Sequence, residues 1–459
     1  MLPASALIAL LPLLAAAAAF FLRRMPIVKI AVAGGICLLG IAVLAQPIDA
    51  TFLGVDIDGR LNLLGRAMQV HEQDRLALLI LFSCAALLLI ASWHTPQNWN
   101  FAPVGMLMLS VLSAALMVRP VQYAGLIFVI AGALGALMIQ AEQDERASTL
   151  GARRYLVSSV LALPAFLGAG YLAQRAASSI DSTASFEPAV VLLLLGAGLV
   201  MGALPLFTWV YSAAQDAPPL TTAFLGTVGV GSASFLLLTF IHEFDWFHAS
   251  EVMPTVLRTS GVLLLLTAVA LGWTHRSLSR LMGSALLLDL GCVLLAAAGR
   301  TQQGAEAITF GIVARTLSMA LFGIGAARLR ERGGDDFDAL RGIGAREIWS
   351  TLAICIGGLS LAGFPATIGF VSAWTSMRVP GVEVETIVII VIAGISIAVG
   401  ILRALSALFD DAEEKFSIEQ AQTRSERWTI GILVVLVLGL GFYPELIIPL
   451  VQAAAAAFH

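Results

Sequence analysis

Two fully charged residues stand in the middle of apolar runs. Asp289 lies in "RSLSRLMGSALLLDLGCVLL" (276–295) and Arg315 in "ARTLSMALF" (314–322). A carboxylate can take up and release a proton or hold a cation, whereas a guanidinium keeps its proton and only donates hydrogen bonds. In hydrocarbon either charge alone costs at least ~2.5–3.5 kcal/mol, so each must face protein and find a partner. The economical reading is that Asp289 and Arg315 pair with each other, either as a static lock or as one element of an ion path. Other chemistry-bearing residues are weaker candidates. His242 and His248 share a loop with Glu243, Asp245 and Glu251, but the spacing fits no metal motif. Cys37, Cys84, Cys292 and Cys355 are scattered through apolar runs and read as small core residues. Gly229-Val230-Gly231 has no strand before it, so it is no dinucleotide loop. We therefore expect no cofactor, no metal and no catalytic site of the chain's own. A net charge of −4 gives no basic face for nucleic acid.

The elements that must position these residues follow from hydropathy. The chain is 59% hydrophobic and 12% charged, with a mean hydropathy of +0.92. That much apolar surface needs a bilayer, where backbone groups must pair within the segment and spans are helices. We count about 14 spans, near 4–22, 27–45, 75–93, 101–118, 120–140, 154–173, 188–212, 218–241, 256–272, 279–298, 305–329, 349–377, 384–408 and 427–447. The first lacks a basic lead and reads as a retained span, not a signal peptide. Lys and Arg fall roughly two to one on the side that follows span 1, which places that side in the cytoplasm and both termini outside. Arg403, near the end of span 13, reads as snorkelling to the cytoplasmic face. Residues 55–63, with Asp58-Gly59 between alternating stretches, read as a hairpin on the outer face or an irregular loop. The run 409–419 reads as a solvated loop.

Two spans are interrupted. "GALPLFTWVYSA" (202–213), followed by Ala217-Pro218-Pro219, puts Pro205 and Trp209 where a plain helix should continue. "AGFPATIGFVSAW" (362–374) puts Gly363 and Pro365 in a similar place. They lie five spans apart, in spans 7 and 12, and an odd offset reverses direction across the membrane. Paired broken helices in oppositely oriented halves mark inverted-repeat transporters. Two unrelated proline kinks are the plainer alternative.

Residues 200–240 resemble the signature of the antiporter-like subunits of respiratory NADH:quinone oxidoreductase, which share a family with multisubunit cation/proton antiporters and membrane-bound hydrogenases. The family pattern runs Lys-x-Pro-x-x-Pro-x-His-x-Trp-Leu-Pro-Asp-Ala, then Ala-Pro, then small residues and a second Lys. Pro205, Trp209, Ala213, Ala217 and Pro218 match it without a gap. Segments 74–82, 276–295, 314–322 and 361–374 are similar to further family segments in the same order. The resemblance implies an all-α polytopic membrane subunit of about 14 helices with two inverted five-helix repeats, broken at spans 7 and 12. The expected division is 1–100 for the first spans and hairpin, 101–243 and 256–408 for the repeats, and 409–459 for a loop and span 14. It also implies a chain of buried ionisable groups: Glu on span 5, Lys on spans 7 and 8, and Lys or Glu on span 12. A desolvated lysine can load and release a proton near neutral pH.

Those charges are missing here. The lysine positions fall on Val200 and Gly231, the histidine on Phe207, and the span 12 charge on Ala373. Lys29 and Lys415 are the chain's lysines, and neither lies at mid-membrane. Gly226, Gly229, Gly231, Ser232 and Ser234 read as a close-packed helix interface, with a serine-lined water file as the alternative. The expected function is therefore a membrane-arm subunit of a complex I-like or related proton-translocating assembly, mainly structural or coupling in role. Its partners would be other membrane subunits, hydrophilic redox subunits indirectly, and the lipid of a bacterial or archaeal cytoplasmic membrane. One alternative is an active proton or cation translocator using Asp289, Arg315 and water. A free-standing transporter of another solute is the other.

Overall fold

A computed structural model describes residues 2–48, 50–52, 55–57, 59–63, 65–93, 95, 99–140, 148–178, 185–203, 207–410 and 422–458. Among them, eleven helices are long and apolar enough to cross a membrane, and three shorter apolar helices join them. Spans 1 to 6 are Ala4–Phe21, Pro26–Leu44, Glu72–Ala91, Phe101–Met117, Ala124–Ile139 and Leu150–Ser178. Span 7 is split into Glu187–Met201 and Thr208–Asp216. Span 8 is Pro219–Glu243, span 9 Val252–Thr274, span 10 Leu278–Ala298 and span 11 Gln302–Gly333. Span 12 is split into Ile348–Leu361 and Ile368–Met377, and spans 13 and 14 are Val384–Leu408 and Arg424–Phe442. The chain is thus an all-α polytopic membrane protein. In each five-span set, 4 to 8 and 9 to 13, the fourth member is the broken one.

Burial sorts the spans. Spans 8, 10 and 11 are almost wholly covered by protein, whereas spans 6, 9 and 14 leave most of their apolar residues outward. Span 11 is the central post. Its 32 residues make a helix of about 48 Å at 1.5 Å per residue, longer than a bilayer core of about 30 Å. It packs on spans 3, 10 and 14 and on both halves of span 12. Thr301 starts it, its hydroxyl accepting from the Gly304 N–H at 3.2 Å.

The short strands differ from the expected hairpin. Leu61–Leu63 pairs antiparallel with Arg66–Met68, and the turn passes through Gly65 at φ +74°. Val55–Asp56 pairs instead with Thr51–Phe52 and, in parallel, with Leu2–Pro3. The chain's first residues have taken that edge: Gly59 lies against Pro3, and the Ser5 hydroxyl donates to the Gly59 carbonyl. Asp58 lies outside the described residues. A further helix, Ile448–Ala456, follows span 14 and was not expected. It packs on spans 3 and 11, and Phe458 stacks on Phe235 with ring centroids 5.9 Å apart.

Candidate functional site

The two broken spans end differently. In span 7 the first half stops at Gly202, whose left-handed φ of +76° is glycine's natural province. A break frees carbonyls in a medium without water, and they must be satisfied locally. Here the Leu199 carbonyl accepts from the Ser158 hydroxyl at 2.7 Å and from the Trp209 indole N–H at 3.2 Å. Trp209 is buried and meets Tyr155 edge-on at 4.7 Å. The aromatic ring that carries the family resemblance therefore plugs the gap. Pro218 closes the turn into span 8, and the Ala217 carbonyl before it accepts from Arg330 at 2.9 Å. Pro205 lies outside the described residues.

Span 8 carries a π-helical turn at Leu225–Gly229, and the expected second lysine position follows it. A Cβ at Gly231 would meet Leu81 at 3.3 Å and Ile312 at 3.4 Å, and one at Gly226 would meet Leu286 at 3.0 Å. The hydroxyls of Thr227, Ser232 and Ser234 donate to carbonyls one turn back in their own helix, at 2.7, 2.7 and 2.8 Å. This is a packed interface, with these hydroxyls turned back onto their own helix. Val200 packs partly buried against the same core.

The break in span 12 is polar. Gly363 has φ +74°, and Ala366 has φ +71°, a strained value for a residue with a Cβ. Ser360 holds the two halves together: its hydroxyl lies 2.7 Å from that of Ser318 and accepts from the Gly369 N–H at 3.2 Å. Asp289 and Arg315 meet beside it, with Nη1 2.7 Å from Oδ2. Arg315 is 1% exposed and Asp289 17%. The distance makes an ion pair, yet the geometry is not that of an aligned hydrogen bond: Asp289 Oδ2 and Arg315 Nε, Nη1 and Nη2 have no hydrogen-bond partner in the protein. They border a cavity of about 30 Å³ lined also by Ser318, Ser360, Ser372 and Ala373. One water needs about 10–15 Å³ and two or more polar partners, so the site has room and partners for water. The arrangement is not a closed bidentate lock, and Gly311 on span 11 sets no side chain next to Asp289 and Ser372.

The sequence reading pairs Asp289 with Arg315 and sets Gly363 and Ala373 apart from them, and the structure brings all four to one cavity. Pro365 lines the neighbouring groove. Val200 and Gly231 lie in the other half. Ser318, Ser360 and Ser372 were missed, although Ser318 is one helical turn from Arg315 and so on its face. Also missed was a charge cluster at the end of the bundle that bears the strands. There Arg119 lies 2.6 Å from Asp74 and 3.4 Å from Glu243, and Gln73 donates to Glu243 at 3.1 Å. Asp74 is 1% exposed, and this cluster ties span 3 to span 8. An acid in the first turn of a span was the available signal.

Two discontinuous helices in a many-span helical membrane protein, one with a buried ion pair on neighbouring spans beside its break, are an arrangement that transporters use. Comparison narrows this. The NADH:quinone oxidoreductase/Mrp antiporter transmembrane family matches residues 79–400, and the chain belongs to that family. It is 27% identical over 403 residues to NADH-quinone oxidoreductase subunit N 1 of Solidesulfovibrio magneticus, covering 84% of this chain and 80% of that protein. Subunit N of Methylococcus capsulatus is 31% identical over 275 residues, covering 58% of this chain and 54% of that protein. The fold is similar to a chain of the Mrp complex from Dietzia sp. DQ12-45-1b, with a TM-score of 0.81 at 16% identity over 99% of this chain and 97% of that one. A chain of respiratory complex I from Thermus thermophilus gives 0.75 at 19% identity, over 99% and 100%.

Proposed function

We propose that this chain is a membrane-arm subunit of a complex I-like, proton-translocating assembly, and that it has no lysine relay of its own. The observation that carries the reading is the closed centre of the first half. Gly231 stands where the family resemblance expects a lysine, and its neighbours sit at van der Waals distance. Among the described residues Lys29 is the sole lysine, in the first turn of span 2. Among the described residues of that half no titratable amine stands at the expected positions, Val200 and Gly231, to take a proton. The role left to it is packing, subunit contact and mechanical coupling within the two repeats, 101–243 and 256–408. Neighbouring membrane subunits are its direct partners, and hydrophilic redox subunits its indirect ones. We place it in a bacterial or archaeal cytoplasmic membrane with both termini outside. Purification in mild detergent tests the assembly: co-elution with redox subunits supports it, and a monodisperse lone chain overturns it. The isolated chain in liposomes is expected to carry no proton flux.

The second half supports a second reading. The open donors of Arg315 and the cavity beside Asp289 favour an active proton or cation path through that half alone. Proton flux in liposomes that disappears with Asp289→Asn would establish it in place of the first reading.

A further inference from the structure

Where spans 9 and 13 begin side by side, a groove of about 280 Å³ lies between them. Two opposite charges line it. Arg258 stands six residues past Val252, the first of span 9, about 9 Å along the helix at 1.5 Å per residue. Its guanidinium folds across to span 13's approach, where a Cβ on Gly381 would lie 2.6 Å from Nη2. Glu383 immediately precedes span 13, and its carboxylate does not cap that helix. Among the described residues neither charged group has a hydrogen bond or an ion pair, and the two do not come within ion-pair distance of each other. The wall deeper in the bilayer is apolar, made by Val262 and Leu263 of span 9 and Leu295 of span 10. Leu263 is 42% exposed, so the groove opens sideways toward lipid, and the exposed Leu266 and Val388 continue its apolar surface inward.

We propose that this groove binds the headgroup of a phospholipid that carries a primary ammonium, of the phosphatidylethanolamine type. Its phosphate sits on Arg258 and its ammonium on Glu383, while its acyl chains stay in the bilayer along Leu266 and Val388. The charges argue for this first. A bare guanidinium and a bare carboxylate in one groove, too far apart to pair, match a ligand that brings both an anion and a cation. A guanidinium fork suits phosphate oxygens, and an ammonium gives N–H donors to a carboxylate. A head with a phosphate and no cation, as in phosphatidylglycerol, meets the Glu383 charge with nothing to offset it. The lining argues next. Quaternary ammonium groups are recognised by aromatic faces. Among the described residues no aromatic side chain lines this groove, and a choline head has no N–H to give Glu383. The position argues last. Arg258 reaches from within a span toward its end, as arginines near membrane interfaces do. A soluble zwitterion would leave the lipid-side wall at Leu263 uncovered. The site is independent of the function proposed above, because it needs neither an assembly nor ion movement through the chain.

The test titrates the full chain, purified in mild detergent, with dioleoyl phosphatidylethanolamine, phosphatidylcholine and phosphatidylglycerol, and reads bound lipid by native mass spectrometry. Phosphatidylethanolamine is expected to bind with a Kd roughly tenfold below the other two, the size of one charge-assisted hydrogen-bonded contact. Arg258→Gln should weaken it by about the same factor. Glu383→Gln should erase its advantage over phosphatidylglycerol. Both side chains are exposed and unpartnered, so the variants should keep the wild-type melting temperature. A photoreactive phosphatidylethanolamine should label peptides spanning 255–266 or 380–388, a readout that needs no variant to fold. Equal affinity for phosphatidylethanolamine and phosphatidylcholine would overturn the proposal, as would labelling confined to other spans. Tightest binding of phosphatidylglycerol by the wild type would overturn it too, marking a site for anionic lipid. Free phosphoethanolamine competing at the lipid's own Kd would overturn the membrane source and mark a pocket for a soluble zwitterion.

Discussion

Arg315 offers five donor hydrogens, and the structure sets one carboxylate oxygen beside them. Removing either partner leaves a lone charge in a nearly closed space. Arg315→Met is therefore expected to destabilise by about 3–5 kcal/mol, while the double change with Asp289→Leu recovers most of that loss. Unfolding of the single and double variants in mild detergent measures the cycle, and additive losses would deny the pair any coupling. A second residue gives a pH signature. His275 lies just beyond span 9, stacked on Tyr211 at 5.0 Å. Burial, and then the nearby Arg280 charge, holds its pKa below the usual 6.5. A base held below its unfolded value favours the folded state when neutral. Its contribution is full above pH 6.5 and erodes as pH falls from there through the folded value. The melting temperature should drop between pH 7.5 and 5.5, and His275→Phe should flatten that part of the curve.

At the scale of helices, the contrast lies between span 8 and span 12. Span 8 closes around small residues at Gly231, where the family resemblance expects a lysine, and span 12 stays open at Ala373, where it expects a charge. Gly231→Lys puts back the residue type the family pattern calls for, but Leu81 and Ile312 already occupy the space. It should destabilise the protein by about 1–3 kcal/mol through overpacking alone, and more once the charge is buried. It should restore no proton flux in liposomes, and a gain of flux there would refute the dry-interface account. The breaks themselves were legible, because proline and glycine inside an apolar run interrupt the helical hydrogen-bond ladder wherever they fall together. The span count was legible because each span must reach across a fixed hydrocarbon thickness. The contents of the breaks were not. That Trp209 plugs one gap through Leu199, while Ser360 bridges Ser318 and Gly369 in the other, depends on contacts between residues 9 to 42 positions apart. The strand pairing failed for a related reason. Val55 pairs with Phe52 on one side and with Leu2, far away in sequence, on the other, and a local alternating pattern signals no such distant partner.

Taken whole, the molecule is uneven. Three central spans are sheathed by the others, and its two halves share the placement of a broken helix but not its filling. The ion pair next to open space has a further implication. Two opposite charges at 2.7 Å, with room for water alongside and serine hydroxyls lining the same cavity, form a dipole. Such a dipole is one that an electric field, whatever its source, can polarise.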